Sequence, residues 1–448
     1  MVEMRAMAKM VPRVGRITRQ DVILGYSGKK RKRYERAECR LEFGVKPSGL
    51  LKMFVKDERV EFKGGKVNPE CRAIQFRDYE YGLELATYVK PYESVFYTIR
   101  GGRFPKTRFI TKGMQPCEKA KLVLDKLRTL GPGVRILALD AERFDAHYNV
   151  MLLKAEHFLL QQNFRGDSYL KRLQKKQIKN KGRYYGSDGS YVKYSVLGGR
   201  SSGEMTTALG NNASMACMLN SFGQHFFGPG KYDFVLDGDD SLFFHVGEAV
   251  EIDGITEFFR EFGMTMKVDA YTTDIYEVDY CQSKIVDVEG FPTFVRNFET
   301  VLSKSMCSPK FSDIKGRPKL LKTIALGELS QCYGLPILDP FFRALIRVAE
   351  KYMSQRGLKD GGVIHNFDFP YRLEGSLPMG WKTLRSSSIY ESTRRSFAKT
   401  FKISVESQLK LEAEIAVYDF DLLQKGSGGL PVDVNKWLFD WLELDKPI

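Results

Sequence analysis

Short apolar runs, set at the right distances from acidic and glycine-rich punctuation, organise the middle of this chain. Tyr232-Asp233-Phe234-Val235-Leu236 and Ser241-Leu242-Phe243-Phe244 read as two strands, and Asp237-Gly238-Asp239-Asp240 between them reads as a tight hairpin turn with Gly at its bend. Upstream, the continuous apolar run Ile136 to Leu139 predicts a buried strand with Asp140 at its C-terminal end. Asp145 follows where the chain is predicted to enter a helix through Tyr148, Leu152 and His157. Between these two regions, Gly198 to Gly203 predicts a flexible loop able to present backbone amides. The loop runs into a segment of helical spacing, on which Thr207 and Asn211 are four residues apart and share a face. Lys171 to Lys181 alternates cations with Leu173 and Ile178, which predicts a basic helix; Lys319 through Met353 carries apolar positions three and four apart and reads as helical. Gln424 to Leu430 predicts a loop before a short terminal helix.

The chemistry these elements would carry is that of crowded carboxylates. Asp239 and Asp240 at a hairpin tip repel each other, and a pair of Mg²⁺ ions, hard and oxygen-seeking, is the natural neutraliser. A strand end is a rigid mount, so Asp140 can face the hairpin from the same sheet, while Asp145, a turn later, is placed to contact a substrate's sugar. Ser202 and the Thr207/Asn211 face can together grip the ribose and base of a nucleotide. Taken singly, each feature has an ordinary alternative: an acidic surface turn, a first-turn acid or N-cap at Asp145, and a loop capping a helix.

Their order removes much of that ambiguity. An Asp-ending strand, a Gly/Ser loop with a helix, and an acidic hairpin together resemble motifs A, B and C of the palm of viral RNA-dependent RNA polymerases. The matches are DxxxxD at Asp140 and Asp145, SGxxxTxxxN at Ser202, Gly203, Thr207 and Asn211, and GDD from Gly238 to Asp240. The wording SGEMTTALGN is similar to the tombusvirus and carmovirus group of positive-strand RNA virus replicases. Cys71 to Arg77, with Lys56, Lys63 and Lys66 before it, resembles the basic motif F; there Arg72 and Arg77, ahead of Lys63 and Lys66, would neutralise triphosphate charge. Phe262 to Lys267 resembles motif D, which implies Lys267 as the acid that protonates leaving pyrophosphate. Asp279 to Lys284 resembles motif E, the hairpin supporting the primer end. Tyr26 to Ala37 and Arg395 to Ile403 resemble the terminal regions of the same group. Three positions depart from it: Asp237 stands where Asn is expected, Ser241 where Cys is familiar, and Phe76 where Pro is frequent.

The resemblance implies an α+β right-hand polymerase. Residues 1–132 would be fingers with an N-terminal extension, and 133–304 a palm of a small antiparallel sheet backed by helices, with a fingers insertion at about 154–194. Residues 305–448 would be a helical thumb. It also implies RNA-directed copying of a viral RNA genome by two-metal nucleotidyl transfer, releasing pyrophosphate. Asp140, Asp239 and Asp240 would hold two Mg²⁺ ions, with Mn²⁺ able to substitute, and Asp145, Asn211, Ser202 and Thr207 would read the ribose 2′-hydroxyl. The implied partners are an RNA template and nascent strand, nucleoside triphosphates, and a separate membrane-anchored viral or host replication protein. The implied location is the host cytoplasm, at membrane-associated replication complexes. Gly238 and Asp145 speak against a reverse transcriptase, and a non-catalytic RNA-binding scaffold would need damaged metal ligands, whereas Asp140, Asp239 and Asp240 are all present.

Composition agrees. Seventy Lys+Arg against 55 Asp+Glu give a formal charge of +15, a balance suited to enclosing a polyanion and equally compatible with an anionic membrane surface. The densest cationic run, Lys29 to Arg33, reads by itself as a nuclear-localisation or nucleic-acid patch, and the resemblance of Tyr26 to Ala37 implies RNA or template-channel contact. Seven dispersed Cys without CxxC spacing and five dispersed His argue against a disulfide framework and against zinc. The sequence predicts neither a signal peptide nor a membrane span, and carries no visible capping or helicase motif.

Overall fold

A computed structural model describes residues 1–56, 72–186, 188–305, 317–355 and 388–417. Lys63, Lys66 and the expected loop from Gln424 to Leu430 lie outside the described residues. The fold is mixed α+β, and by compactness it divides into one unit of Met1–Gln115 with Lys121–Cys281 and a second of Pro116–Ala120 with Gln282–Ile448.

The first unit holds eight strands in two sheets among the described residues: β1 (Leu50–Val55), β2 (Ala73–Arg77), β3 (Arg135–Glu142), β4 (Lys179–Tyr185), β5 (Tyr191–Leu197), β6 (Tyr232–Asp237), β7 (Asp240–His245) and β8 (Thr265–Thr272). One sheet has the order β6-β7-β3-β8 with every neighbour antiparallel. Leu137 and Leu139 of β3 alternate with Asp140 and, together with Phe234, Leu236 and Phe243, join the main core. Leu209, Ala213, Ala216 and Phe222 from the Thr207–Phe226 helix belong to the same core, and the Phe222 ring meets Phe243 edge-on at 5.0 Å. Burial of this hairpin against the helix is what holds the acidic turn at a fixed place. The other sheet has the order β2-β1-β4-β5, with β1 and β4 parallel and the remaining pairs antiparallel.

Two helices end earlier than the apolar spacing predicts. The helix after Asp145 is broken: Phe144–His147 forms a single turn, Arg143 before it has φ 49°, and a new helix, Val150–Asn163, starts where the Asn149 side chain accepts a hydrogen bond from the Leu152 N–H at 3.0 Å. The basic helix is Ser168–Ile178, after which the chain continues as β4, because Lys179 to Tyr185 finds a partner strand in β5.

In the second unit, β9 (Ser283–Val288) and β10 (Phe291–Arg296) form a hairpin. The hairpin expected at Asp279 to Lys284 therefore lies later in the chain; residues 279–282 instead make a turn, with Cys281 and Gln282 both at positive φ. The hairpin is tied to the Glu391–Phe401 helix: Thr400 Oγ1 donates to the Ile285 carbonyl at 2.8 Å, and Ser396 Oγ accepts from the Asp287 N–H at 2.8 Å. These bonds tie it to the C-terminal unit, whose main segment begins at Gln282. The helices Arg317–Cys332 and Leu338–Gln355 share an apolar core with the hairpin through Val286, Leu329, Phe341 and Phe397.

Candidate active site

Strand register gathers the predicted carboxylates into one row. Asp237 faces Asp240 across the β6–β7 turn, Leu139 faces Ser241 between β3 and β7, and Asp140 faces Lys267 between β3 and β8. Asp140 is thus one step beyond the last β3–β7 pair, alongside Asp240, and residues opposite each other in antiparallel strands share a face. The row across the sheet reads Asp237, Asp240, Asp140, Lys267. A register shift between Ala138 and Leu139 leaves Asp269 as the extra residue of β8, next to the row.

The turn is pinned from the helix behind it. Gly238 has φ +79°, the left-handed region that favours glycine. Its N–H donates to Asn212 Oδ1 at 3.1 Å, and the buried Asn212 is oriented by its own Nδ2 donating to the Ala208 carbonyl at 2.8 Å. Sequence reasoning passed over Asn212; the doubled Asn after Gly210 was the available signal.

The carboxylates feel one another. Burial and the neighbouring Asp239, Asp140, Asp237 and Asp269 charges push Asp240 up to about 7. Burial, then Asp140 and Asp145, raise Asp239, against which the Arg72 charge acts in the opposite direction. Burial, then Asp269, raise Asp140, eased by Lys267. No three His, Cys, Asp or Glu side chains among the described residues converge as a ready-made metal cluster. The donor set is nevertheless all oxygen and like-charged, which fits a hard divalent cation and no soft one.

Beside the row, Asn211 Nδ2 donates to Asp145 Oδ1 at 3.0 Å, which fixes the amide so that Asn211 Oδ1 is the free end. That oxygen is buried and has no partner among the described residues, and Asn211 is one of the residues lining the cleft beside the turn. Thr207 Oγ1 donates to the Ser201 carbonyl at 3.1 Å, while Ser202 Oγ accepts from the Gln75 N–H at 3.3 Å. Gly203 N–H donates to the Gln75 carbonyl at 2.7 Å, so the loop is laid against β2.

Residues 3–422 match the family of viral RNA dependent RNA polymerases. The chain belongs to that family. It is 30% identical over 404 residues to the RNA-directed RNA polymerase of Cucumber necrosis virus, covering 89% of this chain and 47% of that protein. It is 29% identical over 406 residues to that of Tomato bushy stunt virus (strain Cherry), covering 89% and 47%, and 30% identical over 370 residues to that of Turnip crinkle virus, covering 81% and 45%. The chain spans about half the length of the curated relatives it matches.

The remaining polymerase-motif residues divide by exposure. Arg72 is exposed and close enough for its charge to act on Asp239. Arg77, expected beside it as a triphosphate hand, is placed differently. It is buried, with Nε on Glu204 Oε1 at 2.5 Å, Nη2 on Asn180 Oδ1 at 2.6 Å and Nη1 on the Gly49 carbonyl. A guanidinium whose nitrogens all serve protein oxygens is a joint between β2, β4 and the Gly/Ser loop. Lys267 is exposed, and its pKa is raised, first by its bond to Asp269 and then by that residue's charge. Asp237 acquires a counter-charge in Lys112, at 3.5 Å, because Phe109 to Thr111 runs alongside β6 and delivers that lysine to the turn. His147 Nδ1 bonds the Glu142 carbonyl at 2.8 Å, a local helix-end contact.

A cleft of about 1170 Å³ opens beside the turn. Ser202, Thr207, Asn211 and Asp239 line it, and the Gly28–Glu42 helix contributes Lys30 and Arg33 from the basic run. No helix among the described residues is long and apolar enough to cross a membrane.

Proposed function

We propose that this chain is the catalytic region of an RNA-directed RNA polymerase of a positive-strand virus, copying a viral RNA genome with release of pyrophosphate. The observation that carries the reading is the row Asp240, Asp140, Lys267 across one sheet, with Asp239 at its turn and the Asp145–Asn211 pair beside it. Asp140, Asp239 and Asp240 would hold two Mg²⁺ ions, with Mn²⁺ as a substitute. When bound, such ions lower the pKa of a primer 3′-hydroxyl and steady the triphosphate.

The chain's own groups then have separate tasks. Arg72 supplies positive charge near the triphosphate, with Lys63 and Lys66 as further candidates. Asn211 Oδ1 accepts a hydrogen bond from the ribose 2′-hydroxyl and Asp145 holds that amide in place, with Ser202, Gly203 and Thr207 shaping the wall beside it. Lys267, kept protonated by Asp269, donates its proton to the departing pyrophosphate. Lys30 and Arg33 attract the single-stranded template, whose binding weakens with salt. In hand terms, residues 1–132 are fingers, 133–304 palm with the 154–194 insertion, and 305–448 thumb. The partners are template, nascent strand and nucleoside triphosphates, with a separate membrane-anchored replication protein bringing the polymerase to host cytoplasmic membranes.

The test is RNA synthesis from a single-stranded RNA template with Mg²⁺ and four ribonucleotides, beside an Asp239→Asn control. Product from the parent alone supports the reading; equal product from both removes the site assignment. Asp145→Ala is expected to relax ribose selection more than it weakens Mg²⁺ dependence, and equal losses with ribo- and deoxyribonucleotides would sink its role.

A further inference from the structure

Beneath the Asp145–Asn211 pair lies a charged cluster that the reaction itself does not use. Arg200, in the Gly/Ser loop, forms an ion pair with Glu156 Oε2 on the Val150–Asn163 helix, and both side chains are 0% exposed. The guanidinium also lies 3.8 Å from the Tyr148 ring centroid. The Tyr148 hydroxyl reaches Glu156 Oε2 at 3.2 Å, the Gly210 carbonyl at 3.2 Å and Ser214 Oγ at 2.5 Å. Gly210 and Ser214 belong to the helix that carries Asn211. The backbone completes the circuit, because Arg200 N–H donates to the Asp145 carbonyl and Gly199 N–H to the Tyr148 carbonyl, each at 2.8 Å.

Stability alone does not explain this arrangement. A buried ion pair is commonly no better than well-packed hydrocarbon of the same volume. This one also leaves Glu156 Oε1 and Arg200 Nε without partners among the described residues. It further requires glycine inside a helix: a Cβ at Gly210 would lie 2.0 Å from Glu156 Oε2 and 2.3 Å from Arg200 Nη2. Three locally unfavourable choices coincide at one point, and that point joins the segment bearing Asp145 to the helix bearing Asn211. Directional bonds fix a register that apolar packing would leave free to slide.

We infer that Arg200 and Glu156 are positioning residues for sugar discrimination, setting the spacing of Asp145 and Asn211 through Tyr148 and the Gly210 gap; this rests on the reading of Asp145 and Asn211 as ribose readers. Neither group touches substrate. Removing the pair therefore leaves the carboxylate row in place and loosens the contact that tells a ribose from a deoxyribose.

Single-nucleotide incorporation on a primed RNA template reads this as the ratio of kcat/KM for a ribonucleotide to that for its deoxy counterpart. Glu156→Gln and Gly210→Ala should each lower the ratio roughly tenfold, a displacement of reader groups being enough for that. Arg200→Lys, which keeps the charge, should retain more of the ratio than Arg200→Met. Equal losses with both sugars in Glu156→Gln and Gly210→Ala would overturn the inference. If those variants fail to fold, Ser214→Ala deletes one hydroxyl under Tyr148 and must lower the ratio in the same direction, or the inference falls. Asp145→Ala runs alongside. An unchanged ratio there removes the ribose reading itself, whereas a lowered ratio beside an unchanged one in Gly210→Ala removes only the positioning role.

Discussion

The carboxylate row should make the metal-free protein less stable as pH rises, and Asp240→Asn should relieve that. Burial and four neighbouring carboxylates move Asp240 from 3.8 to about 7 in the folded protein. The folded state therefore holds a proton that the unfolded chain gives up near 3.8, so folding is progressively opposed between those two values and the opposition is complete above about 7. At about 1.4 kcal/mol for each pH unit, the full penalty is at most about 4 kcal/mol, of which about 2–3 kcal/mol develops between pH 5 and pH 8. Asparagine carries no charge and escapes it. Native-state hydrogen exchange of the β6 and β7 peptides, corrected for the intrinsic pH dependence of exchange, measures the local opening free energy in parent and variant. The advantage of Asp240→Asn should grow from pH 5 to pH 8 and then level off. Mg²⁺ at saturating concentration should shrink it, since an ion that binds only the folded parent restores what repulsion removes. An advantage that is constant with pH, or that shrinks as pH rises without Mg²⁺, would refute the coupled-carboxylate account.

Other substitutions separate structural from chemical roles. Arg77→Ala leaves Glu204 buried and uncompensated, and should cost about 3–5 kcal/mol in urea unfolding; a normally stable protein with only a raised KM for nucleotides would return Arg77 to the triphosphate. Asn212→Ala strands the Gly238 N–H, which should cost about 1–3 kcal/mol in local opening and lower kcat more than it raises KM. An unchanged kcat would show that the turn keeps its place unaided. Lys267→Met should depress turnover with little change in nucleotide KM and abolish an alkaline limb in the pH–rate profile, because the bond to Asp269 keeps the parent lysine protonated beyond its ordinary range; an unaltered profile would exclude it as the acid.

Much of this site was legible because its parts are local. A continuous apolar run, a Gly at the bend of a tight turn, and two polar residues four apart on a helix each depend on a few consecutive residues. Their order along the chain was enough to suggest motifs A, B and C and the α+β class. The sequence was least informative where the deciding partner is distant. Arg77 looked like a phosphate hand because the resemblance to motif F implied one; the partners that occupy it are distant, Glu204 being 127 residues away and Asn180 103. The Ser168–Ile178 helix stops because β5 offers its continuation a strand to pair with, and the helix after Asp145 breaks at Tyr148, whose carbonyl is bonded by Gly199.

Sequence by itself determined which residues could be strand, turn or helix face, and which side chains carried the chemistry. Those properties follow from backbone sterics and from the alternation of polar and apolar positions, which act over a few residues. Tertiary structure alone decided that Asp140 stands beside Asp240 and opposite Lys267, that Lys112 meets Asp237, and that one Asn211 acceptor has no partner among the described residues. Strand register and burial set those relations, and both depend on segments that share a core while lying a hundred residues apart.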